Sequence, residues 1–174
     1  MVVNQNRANK ECIMTSSSYT ESSQPVDDAV FSRFLSADSG QRDMLYRQAY
    51  AQYQGGQLKA ALTSFRYLCL TDSHNARSFI GLGATLMKTG HFDRAAAAFS
   101  CAYRLDNTDP QPALGMVECF LALKSYKLAQ QALSSVFQRA VPEAQWQPLL
   151  KKAHKYRIMI KAIKVGSANG TGRK

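Results

Sequence analysis

The sequence predicts an all-α protein built from three consecutive helix pairs, and three observations carry that reading. Gly56, Ala61 and Phe65 recur as Gly90, Ala95 and Phe99, and once more as Lys124, Ala129 and Leu133, each time at the same displacement. Each unit closes on turn residues: Thr71-Asp72-Ser73, then Asp106-Asn107-Thr108-Asp109-Pro110, then Val141-Pro142. No stretch alternates polar and apolar residues for long enough to form a strand.

That displacement, thirty-four positions, is the length of two helices and two turns, the tetratricopeptide design. Ala49, Gly83 and Val117 occupy one position in the first helix of each unit. Where that position is small, and Ala61, Ala95 and Ala129 are small in the second helix, the two backbones approach closely. Phe65, Phe99 and Leu133, one helical turn on, fill the space beside that contact. A glycine between the helices suits the left-handed cap that ends a helix, so Lys124 makes the third turn the odd one. The spacing predicts helices over 42–54 and 58–70, 76–88 and 92–104, and 110–123 and 126–139. The repeats then occupy 42–75, 76–109 and 110–143 and wind into a right-handed superhelix. One domain, residues 27–164, holds them all.

Residues 1–26 are rich in Ser, Thr, Asn and Gln. Such a leader lacks the apolar content that offsets ordering entropy, which predicts disorder. Asp27 and Asp28 precede Ala29, Val30, Phe31, Phe34 and Leu35, the pattern of a short amphipathic helix over 27–38. At the other end, Trp146, Leu150, Ala153, Tyr156, Ile160 and Ile163 form one apolar stripe. Lys151, Lys152, Lys155, Arg157, Lys161 and Lys164 lie off it. Pro148 is tolerated only in a first turn, so this helix is expected over 147–164, covering the apolar end of the repeat stack. Residues 165–174 read as a flexible tail.

The net charge of +10 suggests nucleic acid until it is located. Residues 142–174 hold eight bases and one acid, while the repeats are close to neutral. A solvated face on a capping helix accounts for that charge, and a phosphate-binding or anionic-membrane surface is the competing use. No apolar run is long enough to span a bilayer or to serve as a secretory signal, so a cytoplasmic protein without membrane insertion is expected. Cys12, Cys69, Cys101 and Cys119 show no metal spacing, and the last three sit in apolar helical patterns as core thiols. His74, His91 and His154 have no catalytic or ligand partner at motif spacing. No phosphate loop, dinucleotide glycine motif or paired-carboxylate motif occurs. The expectation is a binding protein with no enzyme activity, cofactor or metal.

The informative side chains are aromatic. Tyr46, Tyr50 and Tyr53 lie at i, i+4 and i+7 and share one helix face. Leu45, Ala49 and Gln52 hold the register that meets the paired helix, which rotates the tyrosines towards the concave side. The equivalent positions are Ile80, Ala84 and Met87, then Leu114, Glu118 and Leu121. Together they describe an apolar, tyrosine-bearing groove with an acid near its far end, on the surface by which such arrays bind partners. Ordinary packing between helices is the alternative use of the same residues.

Several runs resemble the class II chaperones of bacterial type III secretion. These are Leu45-Tyr46-x-x-Ala49-Tyr50-x-x-Tyr53-Gln54-x-Gly56, Phe65-Arg66-Tyr67-Leu68-Cys69-Leu70-Thr71-Asp72, Gly81-Leu82-Gly83, Gly90-x-Phe92-Asp93-x-Ala95 and Glu118-Cys119. The likeness covers roughly residues 27–140. It implies a bacterial cytoplasmic chaperone that keeps hydrophobic translocator subunits soluble, holding an extended segment with spaced Pro and Leu anchors in the concave groove. It carries Tyr46, Tyr50 and Tyr53 over as groove residues, and implies homodimers formed through the N-terminal helix, here Val30, Phe31, Phe34 and Leu35. The basic balance, the leader and the C-terminal extension depart from that family's pattern. Two other uses stay open: an adaptor in a different assembly, and a regulator that places its basic helix on nucleic acid.

Overall fold

The structure, a computed structural model, describes residues 39–140 and 144–169, with side chains to residue 163. The leader, the 27–38 helix with Val30, Phe31, Phe34 and Leu35, the Val141-Pro142 turn and residues 170–174 lie outside the described residues. Seven α-helices and one 3-10 turn follow in order, with no strand among the described residues. They are α1 (Ser39–Gln54), α2 (Leu58–Thr71), α3 (Ala76–Lys88), α4 (Phe92–Leu105), α5 (Gln111–Ala122), α6 (Tyr126–Arg139), the turn Ala144–Trp146 and α7 (Gln147–Asn169). The last helix corrects one expectation. It continues through residues 165–169, placed in the tail by the sequence pattern; Val165, Ser167 and Ala168 do not break a helix, and the glycine at 166 costs it only about 1 kcal/mol.

The recurring positions form the core. Ala49, Ala61 and Phe65, then Gly83, Ala95 and Phe99, then Val117, Ala129 and Leu133 are all buried. A second glycine period explains how the units interlock. A Cβ on Gly81 would run into the Phe65 ring, and one on Gly115 would stand 2.7 Å from the Phe99 ring. A Cβ on Gly83 would also meet the Phe99 ring, at 2.9 Å. Phe99 is therefore gripped by a glycine of its own repeat and by one of the next. Gly81 and Gly115 are themselves one period apart, a signal the reading of the repeat did not use.

Each helix packs on the next in chain order, and α1 with α3, α3 with α5, and α5 with α7 also touch. The even-numbered helices lack mutual contacts of that extent. An array whose odd helices meet while its even helices splay is curved, with α1, α3 and α5 on the concave side.

The three turns inside the helix pairs share one geometry. Gly56 (φ 74°), Gly90 (φ 80°) and Lys124 (φ 56°) all take the left-handed conformation. In each, the next N–H reaches back past a full helical turn to a carbonyl: Gln57 to Gln52 at 2.9 Å, His91 to Leu86 at 2.9 Å, Ser125 to Phe120 at 2.8 Å. A side chain makes this conformation costly, so Lys124→Gly is expected to raise unfolding stability by about 1 kcal/mol, read from urea denaturation.

The turns between pairs use side-chain caps. Asn75 accepts the Arg77 backbone N–H at 3.1 Å, and Asp109 accepts that of Gln111 at 2.7 Å. Asp106 accepts from the Thr108 hydroxyl at 2.7 Å and the Thr108 N–H at 2.8 Å, bonds that hold its carboxyl below the usual range. From α6, Arg139 donates to the Tyr103 and Asp106 carbonyls at 2.9 Å each, closing the end of α4. Cys69 and Cys119 are free and buried; burial raises both thiols, Cys119 to about 12. Cys101 is equally buried.

Candidate functional site

The concave face begins with the tyrosines of α1. Tyr46 stands edge-on to the buried Phe65 ring, with centroids 5.8 Å apart and planes at 73°. Tyr53 packs partly against the core, and Tyr50 stacks on it at 6.3 Å. Tyr50 itself is 49% exposed, and its phenol oxygen accepts a hydrogen bond from Gln54 at 2.8 Å. Two of the three tyrosines thus share in packing, while the middle one lies open. Ile80, Ala84 and Met87 on α3 are half-buried and rest on the core beside them.

The α5 end differs from the expected groove. Leu114 is only 8% exposed and belongs to the core, so it offers little surface. Leu121 is half-buried. Glu118 is not an open acid. Helix α7 packs against α5 and α6, and its residues 152 and 156, one turn apart, both reach that carboxylate. Lys152 forms an ion pair with it, and the Tyr156 hydroxyl donates to it at 3.1 Å. The apolar stripe of α7 supplies the packing: Ala153 and Ile160 are buried, and Tyr156 is partly so. The acid was visible in the sequence, but its partners lie a repeat length or more further along the chain, on a helix whose docking angle no spacing rule gives.

The same contact has a pH signature. Its hydrogen bond to Glu118 raises the Lys152 ammonium, while burial first, and then Glu118, raise the Tyr156 phenol. Both raised groups favour the protonated, docked state, so their stabilisation is full below the ordinary values of 10.5 and 10.0 and is lost as pH climbs past them. Trp146, the single tryptophan, stands at the start of α7. Its fluorescence is expected to report an alkaline loosening above about pH 10 that Glu118→Gln diminishes.

Two cations were missed. The Arg77 guanidinium lies 4.6 Å above the Tyr46 ring centre, and the Lys88 ammonium lies 3.9 Å above that of Tyr53. Arg77 falls just short of one period after Tyr46, and Lys88 falls just beyond one period after Tyr53. Both therefore flank the register on which the groove positions were aligned, which is why that alignment passed over them. Elsewhere, a cleft of about 240 Å³ lies between α6 and α7, lined by Leu133, Phe137, Ile160, Arg157 and Lys161 among others. Among the described residues no group of His, Cys, Asp and Glu could hold a metal ion, and no helix is long and apolar enough to cross a membrane.

The tetratricopeptide repeat family matches residues 86–153. By sequence the chain is 31% identical over 102 residues to the chaperone protein SicA of Salmonella dublin, covering 59% of this chain. The match spans 62% of the SicA length, under two thirds of it. By structure it resembles the type III secretion chaperone SycD of Yersinia enterocolitica, solved with a peptide of the translocator YopD. The TM-score is 0.71 and the identity 27%, over 73% of this chain and 97% of that one. SicA is a chaperone by name, and SycD is a chaperone of type III secretion. PcrH, solved with the chaperone binding region of PopD, resembles it to a similar degree, at TM-score 0.72 and 26% identity over 74% of this chain and 97% of that one. Six of the bases behind the departure in charge sit on α7.

Proposed function

We propose that this chain is a bacterial cytoplasmic chaperone that keeps hydrophobic translocator subunits of type III secretion soluble before export. The concave face of α1, α3 and α5 takes an extended segment of the translocator, anchored by spaced Pro and Leu side chains. Tyr46, Tyr50, Tyr53, Ile80, Ala84, Met87 and Leu121 form its floor, while Leu114 backs it from the core and Glu118 marks where α7 closes it. The observation that carries this reading is Tyr50, a large ring left half in solvent on the concave side of a fold shared with chaperones solved with translocator segments. A surface apolar along its body and polar at its tip suits a peptide released again at export. The protein performs no chemistry in this role.

Co-expression with candidate apolar secretion substrates from the same genome tests the reading. A substrate recovered soluble and bound to the chain is the expected result. If every such substrate stays insoluble beside folded chain, the chaperone reading fails.

A further inference from the structure

The groove floor is apolar, but its charge is one-sided. Arg77 and Lys88 are exposed and lie near the two ends of α3. They bracket Ile80, Ala84 and Met87 over about 16 Å at a rise of roughly 1.5 Å per residue. Each rests on a tyrosine ring of α1, which covers one side of the cation and leaves the other open. Neither is joined to a carboxylate among the described residues, whereas Arg42 is joined to Asp72 and Lys152 to Glu118. Asp43, one turn before Tyr46, is joined to neither cation. The one acid in the groove positions, Glu118, is already matched by Lys152 and Tyr156. An apolar strip with an unmatched cation at each end is complementary to an apolar segment that brings its own negative charge.

We propose that Arg77 and Lys88 select, among extended apolar segments, those carrying a carboxylate side chain beside an apolar anchor. This deepens the groove reading and rests on it. The tyrosine rings hold the two cations in place, so a ligand carboxylate meets a preformed charge. A neutral segment of the same shape leaves both cations without a partner and is bound less tightly.

The test uses two labelled synthetic peptides with the same Pro and Leu anchors, differing only in Glu or Gln between them. Binding is read by fluorescence anisotropy on the full chain at low and at high salt. The Glu peptide is expected to bind about tenfold tighter at low salt, the gap narrowing as salt screens it. In Arg77→Gln/Lys88→Gln, with helicity checked by circular dichroism, the ratio is expected to fall to about one. Equal binding of both peptides to the wild-type chain overturns the proposal and leaves the groove reading standing. A ratio that persists in the double variant also overturns it, by placing the selection elsewhere. If neither peptide binds the folded chain, the groove reading fails and takes this proposal with it.

Discussion

Phe65→Ala is expected to lower folding stability by about 3–5 kcal/mol, the largest effect of any single truncation in the repeats. The ring is fully buried, lies edge-on to Tyr46, and occupies the place where Gly81 leaves out a side chain. Removing it empties a site that three helices share, and helices fixed by their own turns do not collapse to fill it. The complementary substitution is Gly81→Ala. On an isolated helix alanine is favoured over glycine by about 1 kcal/mol. Here the added methyl falls well inside contact distance of the ring carbons, so a net loss of about 1–3 kcal/mol is expected instead. Urea denaturation of both variants decides the matter. A Gly81→Ala protein more stable than wild type would mean that the ring is not wedged against that helix.

On the proposed function, Tyr50→Ala/Tyr53→Ala is expected to abolish capture of an extended apolar segment while leaving most of the fold intact. Tyr50 is half in solvent, so its loss removes little packing. Tyr53 contributes part of its ring to the core and an aromatic seat for Lys88, which sets the expected stability cost at about 1 kcal/mol. Buried aromatic anchors at interfaces are often worth about 2 kcal/mol or more each, so affinity is expected to fall at least roughly thirtyfold. Leu70→Ala is the control, since Leu70 is 47% exposed on α2, away from the concave row. Retained capture by the double variant would return the tyrosines to a packing role. Loss of helicity would do the same, and circular dichroism reports it.

The helix pairs were legible because their code is local. Small residues at Ala61, Ala95 and Ala129, and a large one a helical turn on, specify close approach wherever they recur. The sequence marked the turn at Lys124 as the odd one, yet it keeps the left-handed cap of Gly56 and Gly90 against the preference of its own side chain. The tyrosine face was legible for the same reason, since residues at i, i+4 and i+7 share a helix surface whatever surrounds them. The escort of those tyrosines by Arg77 and Lys88 depends on the rotation between neighbouring units, which a period in sequence does not encode. The pairing of Glu118 with Lys152 and Tyr156 depends on how a non-repeating helix docks. Leu114 shows the same limit: it shares a register position with half-open neighbours, yet the core takes it up.

Because Phe65 and Phe99 each seat in a glycine of the following unit, the array is coupled along its length. In a one-dimensional description of a repeat protein, these rings add to the nearest-neighbour term that joins each unit to the next. A unit cannot melt without stripping a ring from its neighbour, so the stack opens as one block rather than peeling from an end. In the chaperone role proposed above, release would then come from the cargo leaving a rigid cradle, with the cradle itself staying folded for the next round.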